Sequence, residues 1–173
     1  MKIRPSVRAD AAELAALLNA VVAQTGTSAL EDPLDEATFA EWFIDGPLML
    51  TSLVAEHEGR AIGFQTVSRY GDLPAGWGDI GTFTRQPGRG GVGSALFERT
   101  RAEAVRLGLV ALKATIRADN QAGLAYYASR GFEDYRIDRA VPLKDGRPVD
   151  RVTKVLRLVQ PAAERVDFPR KPA

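Results

Sequence analysis

Cysteine is absent from this chain and histidine occurs once, in 173 residues. Those gaps remove disulfide frameworks, zinc clusters, thiol nucleophiles and every histidine-dependent triad that does not use His57. A charge excess is missing too. With 23 Lys and Arg against 22 Asp and Glu, no global field recruits nucleic acid or an anionic membrane, so any anion site must be local. No apolar run approaches the roughly 18 residues that span a bilayer, and Met1-Lys2-Ile3-Arg4-Pro5 lacks the apolar stretch of a signal peptide. The expected compartment is the cytoplasm, with no nucleic-acid, membrane or metal partner. What is present is 45% hydrophobic and 26% charged, and a domain of this length buries roughly 70% of its unfolded surface. We expect a single domain over residues 1–158 and a flexible tail over 159–173.

Local patterns give the order of elements. Ile3-Arg4-Pro5 suits a short edge strand; Asp10 is placed to cap a helix over 10–24 with an apolar stripe of Leu14, Leu17, Leu18, Val21 and Val22. Asp35 is placed to cap a second helix carrying Phe39, Trp42 and Phe43, which Gly46-Pro47 stops. Residues 48–56 and 61–70 read as strands joined by a hairpin turn at 57–60. Residues 79–84 form a further strand, followed by a tight loop and a helix over 92–107 with the stripe Val92, Leu96, Val105 and Leu107. A buried strand at 109–116 completes a strand–helix–strand crossover, and a further helix runs from Asp119-Asn120 to Gly131. A last hairpin joins 132–143 to 149–158 through Lys144-Asp145-Gly146-Arg147.

The segment with chemical content is Gly88-Arg89-Gly90-Gly91-Val92-Gly93-Ser94, between a strand and a helix. Glycines let successive N–H groups converge, and the free donors and dipole of a helix's first turn suit a phosphate. Arg85 and Arg89 add local positive charge. A tight turn that merely closes the chain is the competing reading. A third is a dinucleotide fingerprint, since Gly88-x-Gly90-x-x-Gly93 matches formally, with Asp119 as the one candidate for the ribose acid. A Walker-type site is excluded because no Lys-Ser or Lys-Thr follows the glycines.

Phe83-Thr84, then Gly91-Val92-Gly93-Ser94-Ala95-Leu96, then Asn120 with Tyr126-Tyr127-x-x-x-Gly131-Phe132, resemble the GNAT acetyltransferase superfamily across residues 2–158. The first helix and the Tyr-Tyr segment look closest to its amino-acid and phosphinothricin N-acyltransferase group. The resemblance implies an α/β fold: a mixed, mostly antiparallel sheet of six or seven strands, splayed between the fourth and fifth, with helices on both faces. It implies transfer of an acetyl group from acetyl-CoA to a primary amine of a small molecule, and such domains often pair as homodimers. Carried over residue by residue, Phe83 and Thr84 offer backbone groups to the pantetheine and thioester. Arg89, Gly90, Gly91, Val92, Gly93 and Ser94 lie at the pyrophosphate, and Asn120 contacts the cofactor. The chain departs from the family at Gly88, where Arg or Gln is usual; Arg89 is the nearest substitute.

Tyr127 matches the family's general acid, and a phenol of pKa about 10 is suited to protonate a departing thiolate. Packing of both tyrosines is the alternative reading. With no cysteine, direct attack in a ternary complex is favoured over an acyl-enzyme. Asp79, four residues before Phe83 on one strand, falls on the same face under ordinary pleating and is the candidate base, with a solvated strand-end carboxylate as its bland alternative. His57 is expected to be an exposed turn residue without a catalytic task. Glu31, Tyr70 and Trp77 are the candidate acceptor-binding residues, on loops at 24–31 and 70–77. A non-catalytic acyl-CoA-binding module and an NAD(P)-dependent oxidoreductase are the rival functions.

Overall fold

The computed structural model describes residues 1–24, 26, 28–85 and 90–158. The expected tail at 159–173, together with Gly88 and Arg89, lies outside those residues. Seven strands form one sheet: β1 (Lys2–Pro5), β2 (Met49–His57), β3 (Arg60–Ser68), β4 (Trp77–Thr84), β5 (Ala111–Arg117), β6 (Glu133–Pro142) and β7 (Pro148–Arg157). Their order is β1-β2-β3-β4-β5-β7-β6. Every neighbouring pair is antiparallel except β4 and β5. This mostly antiparallel α/β architecture is the one expected. It also removes the dinucleotide reading, which needs a doubly wound parallel sheet around the glycine turn.

Helices α1 (Ala11–Val22) and α2 (Glu36–Ala40) cover one face, and α3 (Val92–Arg106) and α4 (Gln121–Ser129) the other. The α1 stripe of Leu14, Leu17, Leu18 and Val21 is buried, and it meets Phe39, Val54 and Phe64 in one apolar cluster. Phe39 stacks on Phe43 at 5.1 Å and meets Phe64 edge-on at 5.4 Å. Asp35 caps α2 as expected, its carboxylate accepting from Thr38 N–H at 2.7 Å. A wide π-helical turn, Glu41–Asp45, extends α2.

Two local expectations are corrected. Asp10 makes no side-chain cap to α1; its carboxylate instead accepts two bonds from the Arg4 guanidinium, at 2.7 and 2.8 Å, and one from Val7 N–H at 2.8 Å. A planar guanidinium matched to both oxygens outcompetes a single helix amide. Leu107 is not part of the α3 stripe but 39% exposed, because the helix ends at Arg106. The buried face is Val92, Leu96, Phe97, Thr100 and Ala104.

Candidate active site

The site begins with a strand pair that comes apart. β4 and β5 are in register only at Trp77–Ala111, Gly78–Leu112 and Asp79–Lys113. Beyond Asp79, β4 remains paired to β3 through Thr84, and β5 to β7 through Arg117. The inner edge of β4 from Ile80 to Phe83 is therefore left without strand partners on one side, and backbone groups so exposed need acceptors and donors from elsewhere. The β3–β4 register runs from Gly63–Thr84 to Ser68–Asp79 without a bulge. Pleating thus turns Asp79, Gly81 and Phe83 to the α1 and α2 face, and Ile80, Thr82 and Thr84 to the face of α3 and α4. A cavity of about 930 Å³ occupies the splay and reaches both faces, bordered by Gly93, Asn120 and Tyr127 at one end and by Trp42, Tyr70 and Asp79 at the other.

At the helical end, Gly91 precedes α3 with φ 85°, a left-handed conformation that costs a side-chain-bearing residue roughly 1–2 kcal/mol. Among the described residues no side chain caps this helix, and its geometry leaves the amides of Val92, Gly93 and Ser94 without intrahelical acceptors. Gly93 is small for a different reason. A Cβ there would lie 2.9 Å from Cε2 of Tyr126, whose hydroxyl donates to the Gly93 carbonyl at 2.8 Å. Asn120 caps α4, its Oδ1 accepting from Gly123 N–H at 2.8 Å.

The two tyrosines of α4 have different surroundings. Tyr126 accepts from Gln65 Nε2 at 3.2 Å and gives its own proton to Gly93, so its hydroxyl is engaged in both senses. Tyr127 shares a hydrogen bond with Thr82 Oγ1 at 3.0 Å and has the Ile80 carbonyl at 3.4 Å, too long for a strong O–H···O bond. Burial raises the pKa of both phenols, and for Tyr127 the Thr82 hydroxyl partly offsets it. Tyr127 is thus a phenol kept in its protonated form, with no short acceptor for its hydrogen other than the Thr82 hydroxyl.

Across the splay, Asp79 faces Lys113 Nζ at 3.4 Å. Burial raises the Asp79 carboxyl above the usual carboxylate range and the lysine charge pulls it part of the way back. A carboxylate so shifted is a better base than a solvated one. The side chain of Phe83 stacks on Phe64 at 4.8 Å and meets Phe43 edge-on at 5.9 Å, so its offer to a ligand is backbone.

The structure gathers Tyr127, Asp79, Phe83, Thr84, Gly93, Asn120 and Tyr70 around one cavity. Gly90, Gly91 and Ser94 stand at the start of α3, and Val92 turns its side chain into the core. Arg89 lies outside the described residues. Two expected acceptor residues are elsewhere. Trp77 is 4% exposed and packs on Tyr135 at 5.5 Å, because the strand starts at Trp77 and draws it into the sheet core. Glu31 turns away to accept from the Lys144 amide at 2.8 Å, beside a smaller cavity of about 210 Å³. His57 ends β2 at the hairpin and is 26% exposed, remote from the splay. Thr82, Tyr126, Gln65 and Lys113 were not expected at the site. Only Tyr126 had a sequence signal, as the neighbour of Tyr127; the others depend on strand register.

An open β4 edge, a glycine turn on a helix start and a buried phenol fit acetyl-CoA, and comparison with known proteins agrees. Residues 14–132 match the Acetyltransferase (GNAT) family, and the chain belongs to it. It is an acyl-CoA-dependent N-acetyltransferase with acetyl-CoA as cosubstrate. Among solved structures, it is similar to the ribosomal-protein-alanine N-acetyltransferase of Brucella melitensis, at 26% identity and TM-score 0.80, covering 91% of this chain and 100% of that one. The ribosomal-protein-S18-alanine N-acetyltransferase of Escherichia coli matches at 25% identity and TM-score 0.70, covering 96% and 99%. A phosphinothricin acetyltransferase of Sinorhizobium meliloti, solved with acetyl-CoA, shares the fold at 22% identity and TM-score 0.79, covering 96% and 93%. No curated protein matches the chain. Among the described residues, no helix is long and apolar enough to cross a membrane.

Proposed function

We propose that the protein transfers the acetyl group of acetyl-CoA to a primary amine of a small molecule such as an amino acid or an analogue, by direct attack in a ternary complex. The observation that carries this reading is the single cavity bordered by Tyr127 on one face of the sheet and by Asp79 on the other. Two substrates entering from opposite faces meet there, and the chain has no cysteine to hold an acyl group between them. The amides of Gly91, Val92, Gly93 and Ser94 hold the pyrophosphate, with Arg89 and Gly90 before them, and Asn120 approaches from α4. The β4 backbone at Phe83 and Thr84 pairs with the pantetheine amides. Acetyl-CoA supplies an activated carbonyl and a thiolate leaving group.

Asp79 accepts the proton of the incoming ammonium, directly or through water, and Tyr127 delivers a proton to the departing sulfur. Trp42 and Tyr70, in edge-on contact at 6.2 Å, wall the acceptor end with aromatic surface. The Lys113 ammonium beside Asp79 supplies a partner for an acceptor carboxylate. The same reading places the reaction in the cytoplasm and the protein in a homodimer, which size-exclusion chromatography checks.

The deciding experiment follows thiol release from acetyl-CoA with a panel of amines: L-phenylalanine, L-methionine, 2-phenylethylamine, spermidine and an alanine-terminated peptide. Free amino acids should be the fastest acceptors, and Tyr127→Phe should slow turnover about a hundredfold. A preference for the peptide would refute the small-molecule reading. Undiminished turnover in Tyr127→Phe would remove Tyr127 as the acid.

A further inference from the structure

Gln65 lies on β3 directly opposite Thr82 on β4, and it is fully buried. Its Nε2 donates to Thr82 Oγ1 at 2.7 Å and to Tyr126 Oη at 3.2 Å, while its Oε1 meets no partner among the described residues. An unpaired buried carbonyl oxygen opposes folding. A methionine of similar length would pack on the same face, beside Leu53, without that penalty. That penalty offsets the two bonds the amide donates, so sheet stability gives no net reason for a glutamine at this position.

Its donors do. An amide N–H can only donate, so the Thr82 oxygen is committed as an acceptor toward Gln65. With one lone pair of the Thr82 oxygen so occupied, its own hydrogen is available to Tyr127 Oη, 3.0 Å away. On the other branch, Gln65 donates to Tyr126, and Tyr126 passes its own hydrogen to the Gly93 carbonyl. When Thr82 donates to Tyr127, both branches run outward from one amide, and the hydrogen left over is the phenolic one of Tyr127, facing the long 3.4 Å contact with Ile80.

We propose that Gln65 is a positioning residue for acetyl transfer: acting through Thr82, it fixes the sense of the hydrogen-bond chain so that Tyr127 presents its proton to the cavity. This rests on the reading of Tyr127 as the acid. As the carbon–sulfur bond breaks and its electron pair goes to sulfur, the Tyr127 O–H bond breaks and an S–H bond forms. The resulting phenolate receives the Thr82 hydrogen bond already aimed at it, and solvent restores the proton after release.

The test uses the full chain with acetyl-CoA and 2-phenylethylamine, or the fastest acceptor of the panel above. Gln65→Met should lower kcat about five- to tenfold, leave KM for acetyl-CoA within about twofold, and leave Tm unchanged or raised. Thr82→Val should lose as much and Thr82→Ser should keep the rate; this pair carries the test if Gln65→Met does not fold. In a Tyr127→Phe background, Gln65→Met should add less than about twofold, because its effect travels through the missing hydroxyl. A slow Tyr127→Phe beside a full-rate Gln65→Met, or losses that multiply in the double variant, would overturn the proposal alone. A full-rate Tyr127→Phe would instead overturn the assignment of the acid and, with it, this role for Gln65.

Discussion

Replacing Gly93 with alanine adds one carbon atom where there is no room for it. The new Cβ would sit 2.9 Å from Cε2, 3.3 Å from Cζ and 3.4 Å from Oη of Tyr126. That ring cannot swing aside freely, because its hydroxyl is bonded to Gln65 on one side and to Gly93 itself on the other. Overpacking of this kind costs about 1–3 kcal/mol, and a hydrogen bond lost as the ring withdraws adds about 1 kcal/mol. Taking about 2 kcal/mol, Tm should fall by about 4–8 °C for a chain of this size. Gly90→Ala is the control: no described residue lies within 4 Å of its Cβ, and its Tm should match wild type. Thermal unfolding followed by circular dichroism, with and without saturating acetyl-CoA, reads both. Were Gly93 small only so that a phosphate could approach, Gly93→Ala would lower acetyl-CoA affinity and leave apo stability intact. That result would refute the packing argument.

Asp79 has its carboxyl raised by burial and pulled back by Lys113, so it becomes a working base only as pH rises through that raised value. The acidic limb of the kcat/KM profile should therefore move to higher pH in Lys113→Met and vanish in Asp79→Asn; an unmoved limb in both would exclude Asp79 as its source. Asn120→Ala removes the α4 cap and should cost about 1 kcal/mol, read as a drop of about 2–4 °C in Tm. A simultaneous rise in acetyl-CoA Kd by isothermal titration would add the cofactor contact; unchanged Tm would refute the capping role. Arg4 holds the Asp10 carboxyl below its ordinary range, so this pair stabilises the fold above the unfolded carboxylate pKa and is lost as pH falls through the lower folded value. Arg4→Met should cost about 1–2 kcal/mol at neutral pH and flatten the acid limb of stability, measured by urea unfolding across pH 2–7.

Elements governed by local chemistry were legible from sequence. The Asp35 cap, the 57–60 hairpin, the glycine turn before α3 and the Asn120 start of α4 each follow from a few adjacent residues. The family motifs then supplied the sheet and most of the cavity wall. Expectations failed where a distant partner decides. Asp10 was misassigned because Arg4 sits across the β1–α1 turn, and Trp77 because Tyr135, far along the chain, completes its pocket. Thr82 reads as an ordinary strand threonine until β3 pairing sets Gln65 beside it. Lys113 is an isolated lysine until the brief parallel register puts it next to Asp79. Gly93 was readable as a phosphate glycine, yet its tightest contact is with an aromatic ring 33 residues on.

The early divergence of β4 and β5 also bears on solubility. A strand edge with open N–H and C=O groups is a template for unwanted pairing with other chains. Here the longest unpaired inner edge lies inside a cleft, where a narrow ligand can enter but a neighbouring sheet cannot. The outer borders are protected by other means. β1 is only four residues long and ends in Pro5. β6 bears Glu133, Asp134, Arg136, Asp138 and Arg139, is interrupted by register shifts, and ends in Pro142. The edge proposed to pair with acetyl-CoA is therefore the one least open to aggregation.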